Sequence, residues 1–275
     1  TLYDLAFLLM DLAHHQQFAA ANIVLNRYLW RTGGTSGDVA DLHGLALMPL
    51  FLSCRAGIRA MIAATRAGIA HSTTDAQSAR TEATNYLQHA IDALKPPSPR
   101  LIAIGGLSGT GKSTLAANLA PLIGGSLGAL HLRSDLERKA MMGVEATDRL
   151  PPPHYTPETA ARVYSRILER TRASIEAGHS VIVDAVFATP GERSGLLALG
   201  KAAGVPVSAL WLEADADTLR QRVDQRHGDA SDATRIVVDR QLGYDIGVLD
   251  GWQRIAAGGR PQDTLAAAHK ALNVD

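Results

Sequence analysis

Cysteine is almost absent. Cys54 stands alone, so the chain can form no internal disulfide and has no paired cysteines at the spacing a zinc site needs. The ten histidines form no H-E-x-x-H pair and no Cys/His ligand set, which leaves transition-metal chemistry without support. Charge of one sign is not in excess either. Lys plus Arg and Asp plus Glu each total 27, so no overall field draws the chain toward nucleic acid or an anionic membrane, and any polyanion site must be local. No run is read as approaching the roughly 20 apolar residues that cross a bilayer; the one at residues 5–10 is interrupted by Asp11 and His14. No cationic segment precedes an apolar one at the start, so a secretory signal is not expected. A reducing, cytoplasmic setting is expected. The chain opens on Thr1 rather than Met and enters helical sequence at once, so a segment missing upstream is expected too.

What is present is an ordinary globular composition, 46% hydrophobic and 20% charged, enough for one large or two modest domains. Residues 2–30 repeat apolar side chains every three or four positions (Leu5, Leu8, Leu9, Leu12, Val24, Leu25, Tyr28), which predicts one or two amphipathic helices. His14 and His15 are expected to face solvent. A glycine-rich break at residues 32–38 follows, then helices over 48–69, where Pro49 is tolerable only in the first turn, and 75–94. Lys95-Pro96-Pro97-Ser98-Pro99 forbids further helix and favours extended backbone, placing a linker at 96–100 between a helical unit, 1–95, and a second unit, 101–275. In the second unit, short apolar strands at 101–104, 129–132, 180–183 and 207–212 alternate with helices at 112–122, 156–177, 190–203, 215–226, 232–242 and 261–272, with a short strand near Ile255. Apolar strands without polar alternation imply a parallel sheet covered on both faces. The expected fold class is α/β, a P-loop NTPase kinase-type parallel sheet with helices on both faces, preceded by an all-helical segment.

Gly106-Leu107-Ser108-Gly109-Thr110-Gly111-Lys112-Ser113, followed by Thr114, matches G-x-x-x-x-G-K-[ST] between a predicted strand and a predicted helix. Glycines let successive N–H groups turn inward around phosphate oxygens, and the following helix presents its positive end to the same anion. Lys112 adds a point charge that can follow a transferring phosphoryl group, and the Ser113 hydroxyl can ligate Mg2+. This loop predicts binding of ATP.

Asp135 lies just past the second strand, where strand carboxyl ends line the ligand crevice. It can accept the proton of an attacking hydroxyl or simply cap the next helix, and both roles stay open. Arg138, one turn on, is a candidate clamp for an anionic group of the acceptor, with Lys139 beside it. Asp184 ends the apolar run Val181-Ile182-Val183 and is read as a metal-side carboxylate, the alternative being a turn residue. Arg220, Arg222 and Arg226 precede a small polar stretch, residues 227–234, that looks like a lid. An arginine closing over the phosphates would neutralise transition-state charge, although a structural role for one or two of these is an equal reading. Asp232 is expected to cap the helix after the lid.

With those residues in view, residues 101–275 resemble the P-loop kinases related to gluconate kinase, chloramphenicol phosphotransferase, zeta toxin and phage-type polynucleotide kinase. The resemblance is carried by residues 106–114, Ser134-Asp135 with Arg138, residues 181–184 and the stretch Asp229-Ala230-Ser231-Asp232. It implies a kinase fold, ATP as donor, Asp135 as base and Arg222 or Arg226 as the lid arginine. Residues 2–12 resemble the final helices of aminoglycoside-phosphotransferase-like proteins, and an upstream kinase-like domain of the same parent protein is the implied partner. The family does not fix the acceptor, since its pocket is built from variable helices and loops, here residues 141–164.

The expected activity is transfer of the γ-phosphoryl group of ATP to a hydroxyl of a small acceptor. A polynucleotide 5′-hydroxyl kinase would need a basic, aromatic-lined groove, against which stand a neutral chain and 5% aromatic residues. A third reading is a nucleotide-controlled module regulating the upstream domain.

Overall fold

The structure, a computed structural model, describes residues 2–226 and 228–273. His227 of the lid stretch, and the termini Thr1, Val274 and Asp275, lie outside the described residues. Five helices come first: α1 (Leu2–His14), α2 (Phe18–Thr32), α3 (Ala40–Gly44), α4 (Met48–Ile69) and α5 (Thr73–Ala93). The predicted run over 2–30 divides into α1 and α2 because the chain turns at residues 15–17, with Gln16 at φ 59°. Pro49 sits in the first turn of α4, and the Ser72 hydroxyl caps α5 by accepting from Asp75 N at 3.0 Å, a contact worth about 1 kcal/mol.

Two expectations for this segment are corrected. His15 is exposed, but His14 is only partly so, because its ring stacks on Tyr86 with centroids 3.7 Å apart. And the helical run Ala40–Ile69 is, by length and composition, apolar enough to cross a membrane. The interruption read at residues 11–14 concerned a different stretch; here α3 and a short 3-10 turn continue into α4, lengthening the run beyond residues 48–69. It packs with α1 and α5, burying Met48, Leu52 and Ala56 in one core with Leu9, Leu25 and Tyr86.

Residues 96–100 run without regular structure into the sheet, where Arg100 N donates to Ser180 Oγ at 3.2 Å. The elements then follow as β1 (Leu101–Gly105), α6 (Lys112–Leu119), β2 (Leu130–Arg133), α7 (Ser134–Met141), α8 (Pro157–Glu176), β3 (Val181–Asp184), α9 (Pro190–Ala202), β4 (Val207–Glu213), α10 (Ala216–Asp224), α11 (Arg235–Leu242), β5 (Gln253–Ala256) and α12 (Pro261–Leu272). The strands form one parallel sheet in the order β2-β3-β1-β4-β5. Alternation along each strand divides the apolar residues between two cores. Leu101, Ala103, Val181, Val183 and Trp211 meet Val163, Ile167 and Leu196 of α8 and α9 on one face. Ile102, Ile104, Ile182, Leu210 and Ile255 meet Leu115 of α6 and Leu272 of α12 on the other. β1 and β3 are buried along their whole length, as a doubly covered sheet requires.

The helix predicted from Asp232 begins at Arg235 instead, and Asp232 does not cap it. Its carboxylate is taken by Lys139 Nζ at 3.3 Å, Leu150 N at 3.0 Å and the Tyr155 hydroxyl at 2.5 Å. Helix α10 stops at Asp224, leaving Arg226 in the loop beyond it.

Candidate active site

The chain leaves β1 through Gly106 at φ 137°, where a Cβ would stand 2.6 Å from Leu212 O, and Gly109 at φ 89° leaves equally little room before Leu219 O. Only glycine satisfies both the backbone angle and the approach. The Thr110 hydroxyl donates to Leu107 O at 2.8 Å to close the turn, and α6 starts at Lys112. Its N-terminal end faces a cavity of about 970 Å³, to which anions are drawn by the free N–H groups of the first turn.

The register of the sheet brings the acids to this loop. Asp184 is paired with Ile104 of β1 on one side and Arg133 of β2 on the other, so the end of β3 lies between the loop and α7. The structure places Ser108, Gly109, Thr110, Gly111, Lys112, Ser113 and Thr114, together with Asp135, Arg138, Asp184, Arg222 and Arg226, on the wall of the one cavity. Gly106 and Leu107, predicted to contact the nucleotide, are not on that wall. Gly106 packs against Leu212, while the Leu107 side chain joins a small core with Leu219, Val223 and Val238.

Lys112 donates to Leu107 O at 2.9 Å. Burial pushes its ammonium down, and the charges of Asp184 and Asp135 pull it back toward its ordinary value. Burial acts on Asp184 in the opposite sense, but the His131 and Arg133 side chains and Lys112 outweigh it and hold the carboxyl at about 2. Its Oδ2 lies 3.4 Å from His131 Nε2 and 3.7 Å from Arg133 Nε, close enough for ion pairing, yet all three atoms are buried without a formed hydrogen bond. Asp135 is raised above the ordinary carboxylate range, chiefly by burial and further by Asp184, against the Ser231 hydroxyl and Arg133. Two carboxylates in one cavity are thus driven apart, one fixed as an anion and one poised to exchange a proton.

Arg138 donates to His154 O at 3.1 Å and lies over the Tyr155 ring at 4.9 Å, with its buried Nε unpartnered. Lys139, predicted to face the acceptor beside it, turns the other way. It is fully buried and bound to Asp232 and Ala146 O. Among the arginines ahead of the lid, Arg220 is spent on Asp217 and Asp239 outside the cavity. Arg222 donates to the carbonyls of Ala257, Gly258 and Gly259, whereas Arg226 pairs loosely with Asp229 at 3.4 Å and its charge reaches Lys112. Asp229 also accepts from Arg133 at 2.8 Å, so Asp229 and Asp232 tie the described part of the lid stretch to β2 and α7.

Sequence reasoning missed Arg133 and Gln241. Arg133 directly precedes Ser134-Asp135 at a strand's carboxyl end, and that position was the available signal. Gln241 accepts from Ser108 N at 2.8 Å across 133 residues of chain, and no local pattern announces it.

For Mg2+, the donor set on this wall fits. Ser113, with its hydroxyl, and Asp184, held as an anion, both line the cavity, and no group of three His, Cys, Asp or Glu side chains that would hold an ion by itself occurs among the described residues. Such an ion would arrive with phosphate oxygens as its other ligands.

Known proteins bear on the same region. The chain is 30% identical over 254 residues to Uncharacterized protein Rv2004c of Mycobacterium tuberculosis and to Uncharacterized protein Mb2027c of Mycobacterium bovis. The match takes in 89% of this chain and 47% of each relative, so the chain spans about half the length of the curated relatives it matches. Among solved structures it is similar to a sugar kinase from Janibacter sp. HTCC2649, at 20% identity and a TM-score of 0.47, covering 65% of this chain and 96% of that one. It is similar also to a gluconokinase from Sinorhizobium meliloti, at 19% identity and a TM-score of 0.43, covering 64% and 95%. Residues 101–244, more than half of the chain and the whole of the phosphate loop and its facing acids, match the family described as AAA domain, and to that family the chain belongs.

Proposed function

We propose that the chain is an ATP-dependent phosphotransferase that moves the γ-phosphoryl group to a hydroxyl of a small acceptor. One observation carries this reading: a half-buried carboxylate with a raised proton affinity, Asp135, shares a cavity with a complete phosphate loop. A protein that only bound nucleotide would have no need of a second acid beside the loop, whereas an attacking hydroxyl needs a group to take its proton.

The loop amides and Lys112 hold the triphosphate, and Lys112 exchanges its hydrogen bond with Leu107 O for a phosphate oxygen. Asp135 accepts the proton of the acceptor hydroxyl as that oxygen attacks, an effect worth about 10²- to 10⁴-fold. Arg138, with a free buried Nε, orients the acceptor, and Arg226 or Arg222 offsets charge on the transferring group. Mg2+ held by Ser113 and, directly or through water, Asp184 would neutralise the phosphates.

Residues 1–95 are proposed as the closing helices of an aminoglycoside-phosphotransferase-like domain, joined by residues 96–100 to the phosphotransferase unit, 101–275. The greater length of the curated relatives supports this. Coding sequence ahead of Thr1 that lacks that family's catalytic segment would remove the idea.

Labelled ATP offered to a library of sugars, sugar acids and aminoglycosides tests the main reading. Lys112→Ala and Asp135→Asn should each lose at least about 100-fold in turnover. Calorimetry should find Mg·ATP binding retained in Asp135→Asn and weakened in Lys112→Ala. Full turnover in Asp135→Asn removes it as the base, and no heat with wild-type protein removes the reading itself.

A further inference from the structure

The glycine-rich stretch at residues 32–38 breaks the helical run, and two buried guanidinium groups end in it. Arg166 Nη2 donates to Gly34 O at 2.7 Å and Nη1 to Thr35 O at 3.1 Å. Arg170 Nη2 donates to Leu29 O at 3.0 Å and Nη1 to Asp38 O at 3.3 Å. Both arise from α8, and between them lies the carboxylate of Glu137 in α7. Arg166 Nε donates to Glu137 Oε2 at 2.6 Å, and Arg170 Nε lies 3.3 Å from Oε1. All three residues are buried, with side-chain exposures of 2% for Glu137, 7% for Arg166 and 1% for Arg170. An ion triad so enclosed costs desolvation that a well-packed apolar cluster of equal volume would avoid, so its value lies in geometry.

The geometry it fixes is that of α7. This two-turn helix presents Asp135 and Arg138 to the cavity while its other sides are all held: Trp30 Nε1 donates to Leu136 O at 2.9 Å, Lys139 binds Asp232, and Glu137 is gripped by the arginine pair. Two of these three anchors reach back into the N-terminal helices. The cradle itself requires small residues. A Cβ on Gly33 would meet Arg170 Nη1 at 2.3 Å, and one on Gly37, at φ 78°, would meet Arg166 Nη1 at 3.0 Å.

We infer that Glu137 is a positioning residue, clamped by Arg166 and Arg170 onto the loop of residues 33–38, and that through it the N-terminal helices set the placement of Asp135 and Arg138. This rests on the phosphotransfer reading for its consequence in rate, though not for its consequence in structure. Glu137, Arg166 and Arg170 do not line the cavity, so the clamp acts on the site through α7, which carries Asp135 and Arg138.

Two variants test it. Glu137→Gln keeps volume and removes the charge that holds both guanidinium groups. Gly33→Ala is the gentler change, because Gly33 has a helical φ of −63° that alanine adopts freely, so its effect must pass through Arg170. Each is expected to lower kcat for basal Mg·ATP hydrolysis, in which water takes the acceptor's place, by about tenfold or more, with calorimetric Mg·ATP affinity kept within about twofold. Gly33→Ala combined with Arg170→Lys should fall no further than Arg170→Lys alone, since both act on one contact. Hydrogen exchange supplies a readout independent of turnover: amides of residues 134–141 should exchange faster in both variants, and those of residues 112–119 at the wild-type rate. Unchanged exchange over 134–141 in Gly33→Ala and Glu137→Gln, or kcat and affinity falling together, overturns the inference. Wild-type protein that binds no Mg·ATP would sink the phosphotransfer reading while leaving the exchange result to decide this one.

Discussion

Asp135 and Asp184 show how two identical side chains in one cavity acquire opposite tendencies. Asp184 sits among His131, Arg133 and Lys112 and stays an anion at any ordinary pH, whereas Asp135 has less compensation for its burial and a neighbour of like charge. The raised affinity of Asp135 for its proton has a cost that can be measured. Because its folded value lies above its unfolded one, ionisation on going to neutral pH destabilises the native state, and the effect disappears below the unfolded value. Asp135→Asn, which carries no charge, should therefore melt higher than wild type at pH 7, and the two melting temperatures should converge near pH 3. In the same protein the acid limb of kcat/KM should lie above the usual carboxylate range, since the base must first lose its proton. A wild-type limb at or below the ordinary aspartate value would count against Asp135 as the group that titrates.

At the scale of elements, the phosphate loop is less independent than its motif suggests. Leu107 places its side chain among Leu219, Val223 and Val238 of α10 and α11, its carbonyl restrains Lys112, and the next amide, Ser108 N, is satisfied by Gln241 of α11. Gln241→Ala removes the acceptor of that buried donor and should cost about 1–3 kcal/mol in stability, read from the denaturant midpoint. A smaller loss would mean that water replaces the amide. These cross-links explain what could and could not be read from sequence. The strand, glycine turn and helix of residues 101–119 follow from local rules, so loop and sheet were legible, as was Asp135 at a strand end. Lys139 and Asp232 were not. Each has an ordinary local role, a solvated helix charge and a helix cap, and only the fold brings them 3.3 Å apart and cancels both. Likewise nothing near residues 33–37 indicates that arginines about 130 positions later will end among those glycines.

At the scale of the molecule, the question is whether the N-terminal helices and the sheet melt as one body. β2 is an edge strand, and its outer side is covered by side chains from α2: Asn22 Nδ2 donates to Leu127 O at 2.8 Å and Ala129 O at 2.9 Å, while Asn26 Oδ1 accepts from His131 N at 2.7 Å. Those amides stand where a further strand would pair, and they protect the edge from other chains. Leu127, Leu130 and Ala173 of the sheet region are buried in the same core as Leu9, Leu25 and Met48. Detaching the helices would expose that core, strand the carbonyls of Leu127 and Ala129 and the N–H of His131, and leave the Glu137 triad without its carbonyl acceptors, so partial separation is costly on three counts. The three tryptophans are placed to measure this, with Trp30 on α2 and Trp211 and Trp252 packed against each other over the far part of the sheet. Single-tryptophan variants should report coincident denaturant transitions, the test of cooperative unfolding. Asn22→Ala should shift both probes together by about 1–3 kcal/mol, since it strands Leu127 O at the junction and leaves Ala129 O only the longer bond from Asn26 Nδ2 at 3.3 Å. An earlier transition at Trp30 than at Trp211, with the sheet signal intact, would show that the helices leave first and that β2 survives with its edge bare.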